Sequence, residues 1–341
     1  MKDWYPFVVR ETPTEQIVAL LKSVTLGTNG AKYRHLNTEE RLKQLYHPIY
    51  LTLEQNGRAL ANITCCRRPF CWYVRYFAFD ELFQVSNHNH MKASKGQGGL
   101  KKKISAFFES AERGELGPPP SFFYAYIDPR NERSLLLSKG FGFKTVRKIA
   151  TQTFSRTNPG SSDALKRLDN KEYIKSLCRE HFGDLPLFFD FHTLNSSPFY
   201  GLFKAGKLVA FAKVHRADWV IEQLPGRNGK MLTKMVPYIP RLRKVLKPKS
   251  HQFLVLDSVW SEVGNPQYLE ELFSGLLYEE GRNLAIWWVD KQDQLYTAVQ
   301  NKIKWGILHR INGAHEVDLV VRSPHPVEFK TNTYVTGIDF V

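Results

Sequence analysis

Three glycines run into three lysines at Lys95-Gly96-Gln97-Gly98-Gly99-Leu100-Lys101-Lys102-Lys103, and the spacing of Ile104, Phe107 and Phe108 behind them predicts a helix with one apolar face. Such a junction is an anion cradle. Glycine lets the backbone turn tightly and approach a ligand, while the free N–H groups and positive dipole end of the helix point at negative charge. Gly114 or Gly117 is the expected stop. A surface loop with solvated lysines would have the same composition, so the junction alone does not define a site.

A second stretch lies just downstream, Phe122-Phe-Tyr-Ala-Tyr-Ile-Asp-Pro-Arg-Asn-Glu-Arg-Ser-Leu-Leu-Leu-Ser-Lys-Gly-Phe-Gly-Phe143. Its aromatic and β-branched start reads as a buried strand. Asp128-Pro129 breaks that strand, and Asn131 opens a short helical segment that ends at Gly140 to Phe143. Strand, glycine loop with helix, strand, and then Asn131, Ser134, Leu137, Gly142 and Phe143 at these spacings resemble the GNAT superfamily of acyl-CoA N-acyltransferases. Lys95, Gly98 and Leu100 stand where the family loop reads (R/Q)-x-x-G-x-(G/A), with lysine a mild departure and leucine a larger one. Ser138 occupies the position where many members carry a tyrosine that protonates the leaving thiolate.

The resemblance implies acetyl-CoA as co-substrate and N-acetyltransferase activity. It puts the pyrophosphate at the N–H groups of Gln97 to Leu100, with Lys95 and Lys101 to Lys103 near the remaining charge, and the pantetheine arm between the strands Trp72 to Phe79 and Phe122 to Ile127. Asn131 then reaches the pantetheine while also capping its helix, so the implied cofactor set is Lys95, Gly96, Gln97, Gly98, Gly99, Leu100, Lys101, Asn131 and Ser134. Acyl transfer to an amine also needs a base for the amine proton and a donor for the thioester oxyanion. The donor would be a backbone N–H near Phe77. Asp80 and Glu81, with His88 and His90 beyond them, are the candidate bases, and Tyr124 and Tyr126 could replace the missing tyrosine acid. Nothing in the sequence selects among them. The acceptor is a small-molecule or peptide amine. Two other readings stay open: a non-catalytic CoA-binding pseudoenzyme, motivated by Leu100 and Ser138, and a transferase of the same fold that takes its acyl group from aminoacyl-tRNA.

The chain has 341 residues, enough for two domains, and an ordinary globular composition with 43% hydrophobic side chains. Its net charge is +15, of which residues 1–150 hold 23 basic and 13 acidic side chains. That balance suits a polyanion. Nucleic acid fits the charge but not the arrangement, because the aromatic residues fall in strand patterns and form no stacking platform among basic loops. Cys65, Cys66, Cys71 and Cys178 are too irregular for a disulfide framework and contain no C-x-x-C pair, so buried free thiols are expected and no metal. Without an apolar signal core or a run of transmembrane length, the reading is a cytoplasmic protein with no membrane partner.

The chain reads in order as a first strand at Phe7, a helix capped by Thr12 with Pro13 and Glu15 behind it, a second helix near Asn37-Thr38, a hairpin around Asn56-Gly57, and a strand at Trp72 to Phe79. The glycine-loop helix, the Phe122 strand and the Asn131 helix follow, and Phe143 to Phe154 supplies the last strand or strands, an order similar to that of a GNAT-like domain. Ser155 to Ser162 is polar and turn-forming, the best boundary available. The second half repeats the order with a hairpin at Phe199 to Val214, strands at Phe253 to Val259 and Leu284 to Val289, helices at Pro266 to Tyr278 and Gln294 to Lys304, and a closing strand at Val317 to Val321. The fold class is therefore α/β (α+β), two GNAT-like domains at residues 1–156 and 163–341, each a mixed, mainly antiparallel twisted sheet flanked by helices. The second, on the acceptor side, lacks a glycine loop after Val259 and has Leu295 where the family asparagine would stand, so it reads as a degenerate copy. The tail from Phe329 to Val341 has strand character and would add an edge strand to one half.

Overall fold

The computed structural model describes residues 4–27, 30–80, 97–193, 197–263 and 265–340. Glu81, His88, His90, Lys95 and Gly96 lie outside them. The fold is mixed α/β, with mainly antiparallel sheet flanked by helices, and the chain divides into two compact units.

The first unit comprises Met1–Thr28, Leu36–Val146 and Asp318–Glu328. Its strands are β1 (Val8–Arg10), β3 (Pro48–Gln55), β4 (Arg58–Arg67), β5 (Cys71–Phe79) and β6 (Phe122–Ile127), paired in that order, and residues Asp318 to Arg322 of β13 (His315–Arg322) complete the edge beside β6. Asn56 and Gly57 turn β3 into β4, both at positive φ (50° and 72°) as a two-residue hairpin requires. One face of the sheet buries Ile49, Leu51, Ile63, Trp72 and Phe123 against Ile104, Phe107 and Phe108 of helix α3 (Gln97–Glu112). The opposite face buries Tyr50 and Ala78 under Ile17, Leu20 and Leu21 of α1 (Glu15–Ser23) and Leu42 of α2 (Thr38–Lys43). The capping residue of α1 is Thr14, whose hydroxyl accepts from Ile17 N–H at 3.3 Å, so the helix starts two residues later than a Thr12 cap would start it.

The second unit comprises Asn29–His35, Arg147–Val317 and Phe329–Val341. Its strand order is β7 (Lys144–Ser155, from Arg147 on), β12 (Leu284–Asp290), β11 (His251–Ser261), β10 (Lys207–Gln223), β9 (Phe199–Lys204) and β8 (Leu165–Leu168), with β2 (Lys32–His35) on the far end of β10. Helix α8 (Pro266–Glu279) buries Leu269, Leu272, Phe273 and Leu276 on one face of this sheet. The other described helices are α4 (Glu132–Gly140), α5 (Lys171–Phe182), α6 (Gly229–Met235), α7 (Leu242–Val245), α9 (Gln294–Val299) and α10 (Ile307–Asn312).

The two units are not the consecutive halves of the sequence. Ile149 to Ser155, read as closing the first half, pairs with β12 in the second unit, and Asp318 to Arg322, read as closing the second half, pairs with β6 in the first. Apolar periodicity marks a strand but not its partner, and each exchanged strand covers an edge that would otherwise be open. The tail also departs from expectation. It forms no strand but runs irregularly to a short 3₁₀ turn at Gly337–Asp339, with Thr333 to Gly337 buried. All four cysteines are buried free thiols, as the sequence suggested.

Arg322 on the exchanged strand holds the first unit's helix ends together. Its guanidinium meets the Glu112 carboxylate in two bonds (2.9 and 3.1 Å), donates to the Phe141 carbonyl at 2.8 Å, and lies over the Phe108 ring. Both charges are more than four-fifths buried. Replacing Arg322 by Ala leaves Glu112 buried without its cation, which should cost about 3 kcal/mol and lower the melting temperature by several degrees in calorimetry. An unchanged melting temperature would mean that the exchanged strand is not fixed by this pair.

Candidate functional site

β5 and β6 run parallel but pair at three positions only, Cys71 with Phe122, Trp72 with Phe123 and Tyr73 with Tyr124. Beyond them the two strands part. β5 continues on β4 as far as Phe79, which faces Ala61, and β6 continues on Asp318 to Arg322. The parting coincides with a bulge, because Cys65 faces Val74 while Thr64 faces Tyr76, leaving Arg75 extra on β5. The bulge shifts the alternation, so that Trp72 and Val74 before it and Phe77 and Phe79 after it all pack on the α3 side. The β5–β6 register ends at Tyr73 with Tyr124, and the backbone at Phe77, the expected oxyanion donor, lies beyond that point on β5.

Helix α3 connects β5 to β6 and begins at Gln97, so Gly98 and Gly99 lie inside its first turn rather than in a loop before it. The N–H groups of Gln97, Gly98, Gly99 and Leu100 have no intrahelical acceptor by position. Leu100 packs against the same core cluster as Phe77 and Phe79 of β5 and Ile127 of β6. A Cβ built on Gly99 would meet nothing within 4 Å. Among the described residues the space beside Gly99 is open, as a phosphate cradle needs. Lys102 is exposed beside it, whereas the Lys101 amine lies against Gly140 at the C-terminal end of α4, where a cation complements the helix dipole.

Asn131 caps α4, its side-chain oxygen accepting from Ser134 N–H at 3.1 Å. The Ser138 hydroxyl turns back to the Leu135 carbonyl at 2.9 Å and is nearly buried, so it does not replace the family tyrosine. Tyr124 is fully buried, stacked on Tyr73 and bonded to Arg68, and Tyr126 stands half-buried at the edge of the same ring cluster. Asp80 follows the last residue of β5 and is half-buried, with its N–H bonded to the Leu60 carbonyl at 2.9 Å. Cofactor candidates Gln97, Gly98, Gly99 and Leu100 thus fall at one helix start, while Asn131 and Ser134 form the cap of the next helix.

The second unit has the same parting of strands with a different content. β11 and β12 pair in parallel at Leu254, Val255 and Leu256 and then separate. Where they separate, Thr333 of the tail bonds the Asp290 carboxylate on β12 through both N–H (2.8 Å) and hydroxyl (2.9 Å). On β11 the Asp257 carboxylate accepts from Tyr334 (2.5 Å), Thr336 (2.9 Å) and His215 (3.0 Å). Gly337 packs so close that an added Cβ would meet Asp257, His215 and Val255 at 3.1 Å. The chain's own tail occupies the opening. Burial would raise the Asp257 carboxyl, but His215, Lys213 and Tyr334 outweigh it and hold the group well below the usual carboxylate range. Burial pulls Lys213 down to about 8, against the opposing pull of Asp257.

Sequence reasoning passed over this polar cluster. The signal was present, since Lys213 and His215 stand at alternate positions directly after the apolar run Leu208 to Ala212, and Asp257 follows the apolar run Phe253 to Leu256.

No family model and no curated protein sequence matches the chain. Among solved structures it is similar over 98% of its length to Saccharomyces cerevisiae N-myristoyltransferase with bound myristoyl-CoA, at 10% identity and a TM-score of 0.53, covering 85% of that chain. It is similar, again over 98%, to a putative acetyltransferase from Pyrococcus horikoshii at 9% identity and a TM-score of 0.52, covering 96% of that chain. A GCN5-related N-acetyltransferase from Sphaerobacter thermophilus matches over 95% of this chain and 98% of that one, at 15% identity and a TM-score of 0.48. The fold is the one found in that N-myristoyltransferase and in the putative acetyltransferase. Among the described residues, no helix is long and apolar enough to cross a membrane.

The tail cluster makes a pH prediction. Lys213 has a folded pKa of about 8 against 10.5 unperturbed, so between these values the unfolded chain binds more protons and stability rises with pH. In denaturant melts from pH 7.5 to 10, wild type should gain about 3 kcal/mol relative to Lys213→Met, the fall caused above pH 9 by the buried Cys65 and Cys178 thiols being common to both proteins. Parallel pH curves for the two proteins would mean that burial does not lower the Lys213 pKa.

Proposed function

We propose that the protein is an acyl-CoA-dependent acyltransferase that moves an acyl group, acetyl in the first instance, from CoA to an amine. The acyl-CoA-binding domain would be the GNAT-like part built around β5, α3 and β6, corresponding to residues 1–156 of the sequence reading. A degenerate GNAT-like second domain, from residues 163–341, would stand on the acceptor side. The observation that carries this reading is the parting of β5 and β6 after three paired residues, next to a helix start with open space at Gly99. The β5 main chain beyond Tyr73 suits the amides of a pantetheine arm, and the first-turn N–H groups of α3 suit its pyrophosphate. Lys102, with Lys95 from outside the described residues, would add the cations that a phosphate-rich ligand needs.

The chemistry then needs little else. A neutral amine attacks the thioester carbon, a C–N bond forms and the C–S bond breaks. A β5 backbone N–H near Phe77 would stabilise the oxygen as negative charge develops on it. Asp80, or Glu81 beside it, is the candidate acceptor for the amine proton, directly or through water. Tyr126 is the candidate donor to the departing sulfur, because Ser138 is turned inward and Tyr124 is held by Arg68. A small-molecule or peptide amine would be the acceptor.

Those same two observations favour one second reading, a CoA-binding protein without turnover. Transfer from aminoacyl-tRNA fits less well, since it would leave the open helix start without a ligand.

Titration calorimetry with acetyl-CoA tests the first step, and release of free CoA thiol across a panel of amines and N-terminal peptides tests the second. Gly99→Glu has room for its side chain, and a carboxylate in a first helical turn favours the helix, so the variant should fold as wild type does. It should nevertheless bind acetyl-CoA about 10- to 100-fold more weakly, because it sets a negative charge where phosphate is expected. Equal affinity in both proteins would move the site elsewhere. Binding without thiol release in any amine would favour the pseudoenzyme, and tRNA binding without CoA binding would favour the third transferase reading.

A further inference from the structure

Residues 224–250 leave the second unit's sheet at the end of β10 and return to it at β11, and they carry a surface unlike the rest of that unit. The excursion is anchored by its own small core of Val236 and Leu246 on Ile221, flanked by Leu224 and Leu242. Its ends are tied by the Ile221 N–H bond to the Pro248 carbonyl at 2.8 Å, and Thr233 bridges Leu224 N–H and the Gly229 carbonyl. With those residues turned inward, Met231, Leu232, Met235, Tyr238 and Ile239 are turned outward, Tyr238 to 84% exposure.

The charge is equally one-sided. The stretch contains Arg227, Lys230, Lys234, Arg241, Arg243, Lys244, Lys247 and Lys249 and not one Asp or Glu. All eight are exposed. None forms an ion pair with a carboxylate among the described residues, and the Lys244 amine is bonded to the Asn158 side chain instead. Residues 151–341 contain 25 basic and 20 acidic side chains, so without these eight the second half of the sequence would be net negative. Its positive excess is thus concentrated on the excursion that also exposes five large apolar side chains.

We propose that residues 224–250 are a docking surface for an anionic lipid membrane, with the cations at the headgroups and Met231, Leu232, Met235 and Ile239 reaching the acyl boundary. Unpaired cations next to exposed aliphatic side chains, with no acidic residue between them, match the charge and polarity of a negatively charged bilayer surface. A nucleic acid would use the cations but gain little from four aliphatic side chains, and only Tyr238 offers a ring for stacking. A protein partner would ordinarily be met by a surface of mixed charge with a desolvated centre free of lysines. The inference revises the expectation that no membrane is involved. It does not depend on the acyl-CoA reading, because it concerns other residues and a different ligand.

The test is co-sedimentation of the full chain with phosphatidylcholine vesicles, with and without phosphatidylserine, in low and high salt. Wild-type protein should bind the anionic vesicles, ignore the neutral ones and be released by salt. Two doubly substituted proteins, Lys230→Glu with Lys234→Glu and Met231→Ser with Met235→Ser, change exposed side chains only and should keep the wild-type melting temperature. Each should partition roughly tenfold or more less strongly. Absence of binding, or equal binding to neutral vesicles, overturns the proposal. It is also overturned if an RNA duplex binds more tightly and only the lysine pair matters, or if the methionine pair instead abolishes self-association of the chain.

Discussion

A pair of parallel strands that separates after three residues leaves main-chain N–H and C=O groups facing a gap, and each must find a partner or remain hydrated. Both units contain such a pair, β5 with β6 and β11 with β12. In the second unit the chain's own tail lies where the strands part. Thr333, Tyr334 and Thr336 from the tail bond Asp290 and Asp257 where the strands part, and Gly337 fits where any larger residue would press on His215 and Val255. In the first unit the opening is flanked by a glycine-bearing helix start and a ring cluster of Tyr73, Tyr124 and Tyr126. The same parting of strands is thus covered by the chain's tail in one unit and is the proposed ligand site in the other.

The exchange of strands supports this arrangement. β6 needs a neighbour on its outer edge to stay straight while β5 bends away at the Arg75 bulge, and Asp318 to Arg322 supply it. Arg322 then clamps the ends of α3 and α4, through Glu112 and the Phe141 carbonyl, so the helix that begins at the open site is fixed at its far end. β12 receives Ile149 to Ser155 in the same way. Each opening is therefore framed by residues far apart in the sequence.

What the sequence revealed follows from how local the information is. Asn56-Gly57, the break at Asp128-Pro129 and the cap at Asn131 are set by neighbouring residues, and they stand where the sequence places them. The identity of the fold was legible because the spacing of Asn131, Ser134, Leu137, Gly142 and Phe143 survives. Partners were not legible: apolar alternation at Phe143 to Phe154 and at Val317 to Val321 says nothing about which sheet receives the strand. The tail was misread because Tyr334 and Val335 look β-like, whereas Thr333 and Thr336 serve as side-chain donors to buried carboxylates. The start of α3 was misplaced because glycine disfavours helix, a local preference that the packing of Leu100, Ile104 and Phe107 overrides.

Hydrogen–deuterium exchange of the full chain, with and without saturating CoA, tests the central claim most directly, since it reads which main-chain amides acquire partners. The account predicts new protection at residues 97–102 and along Val74 to Phe79 and Ala125 to Ile127. It also predicts no change at Asp257 to Ser261 or Thr333 to Asp339, where the tail already packs against β11. Protection that appears in β11 and the tail, or that appears nowhere, would contradict it.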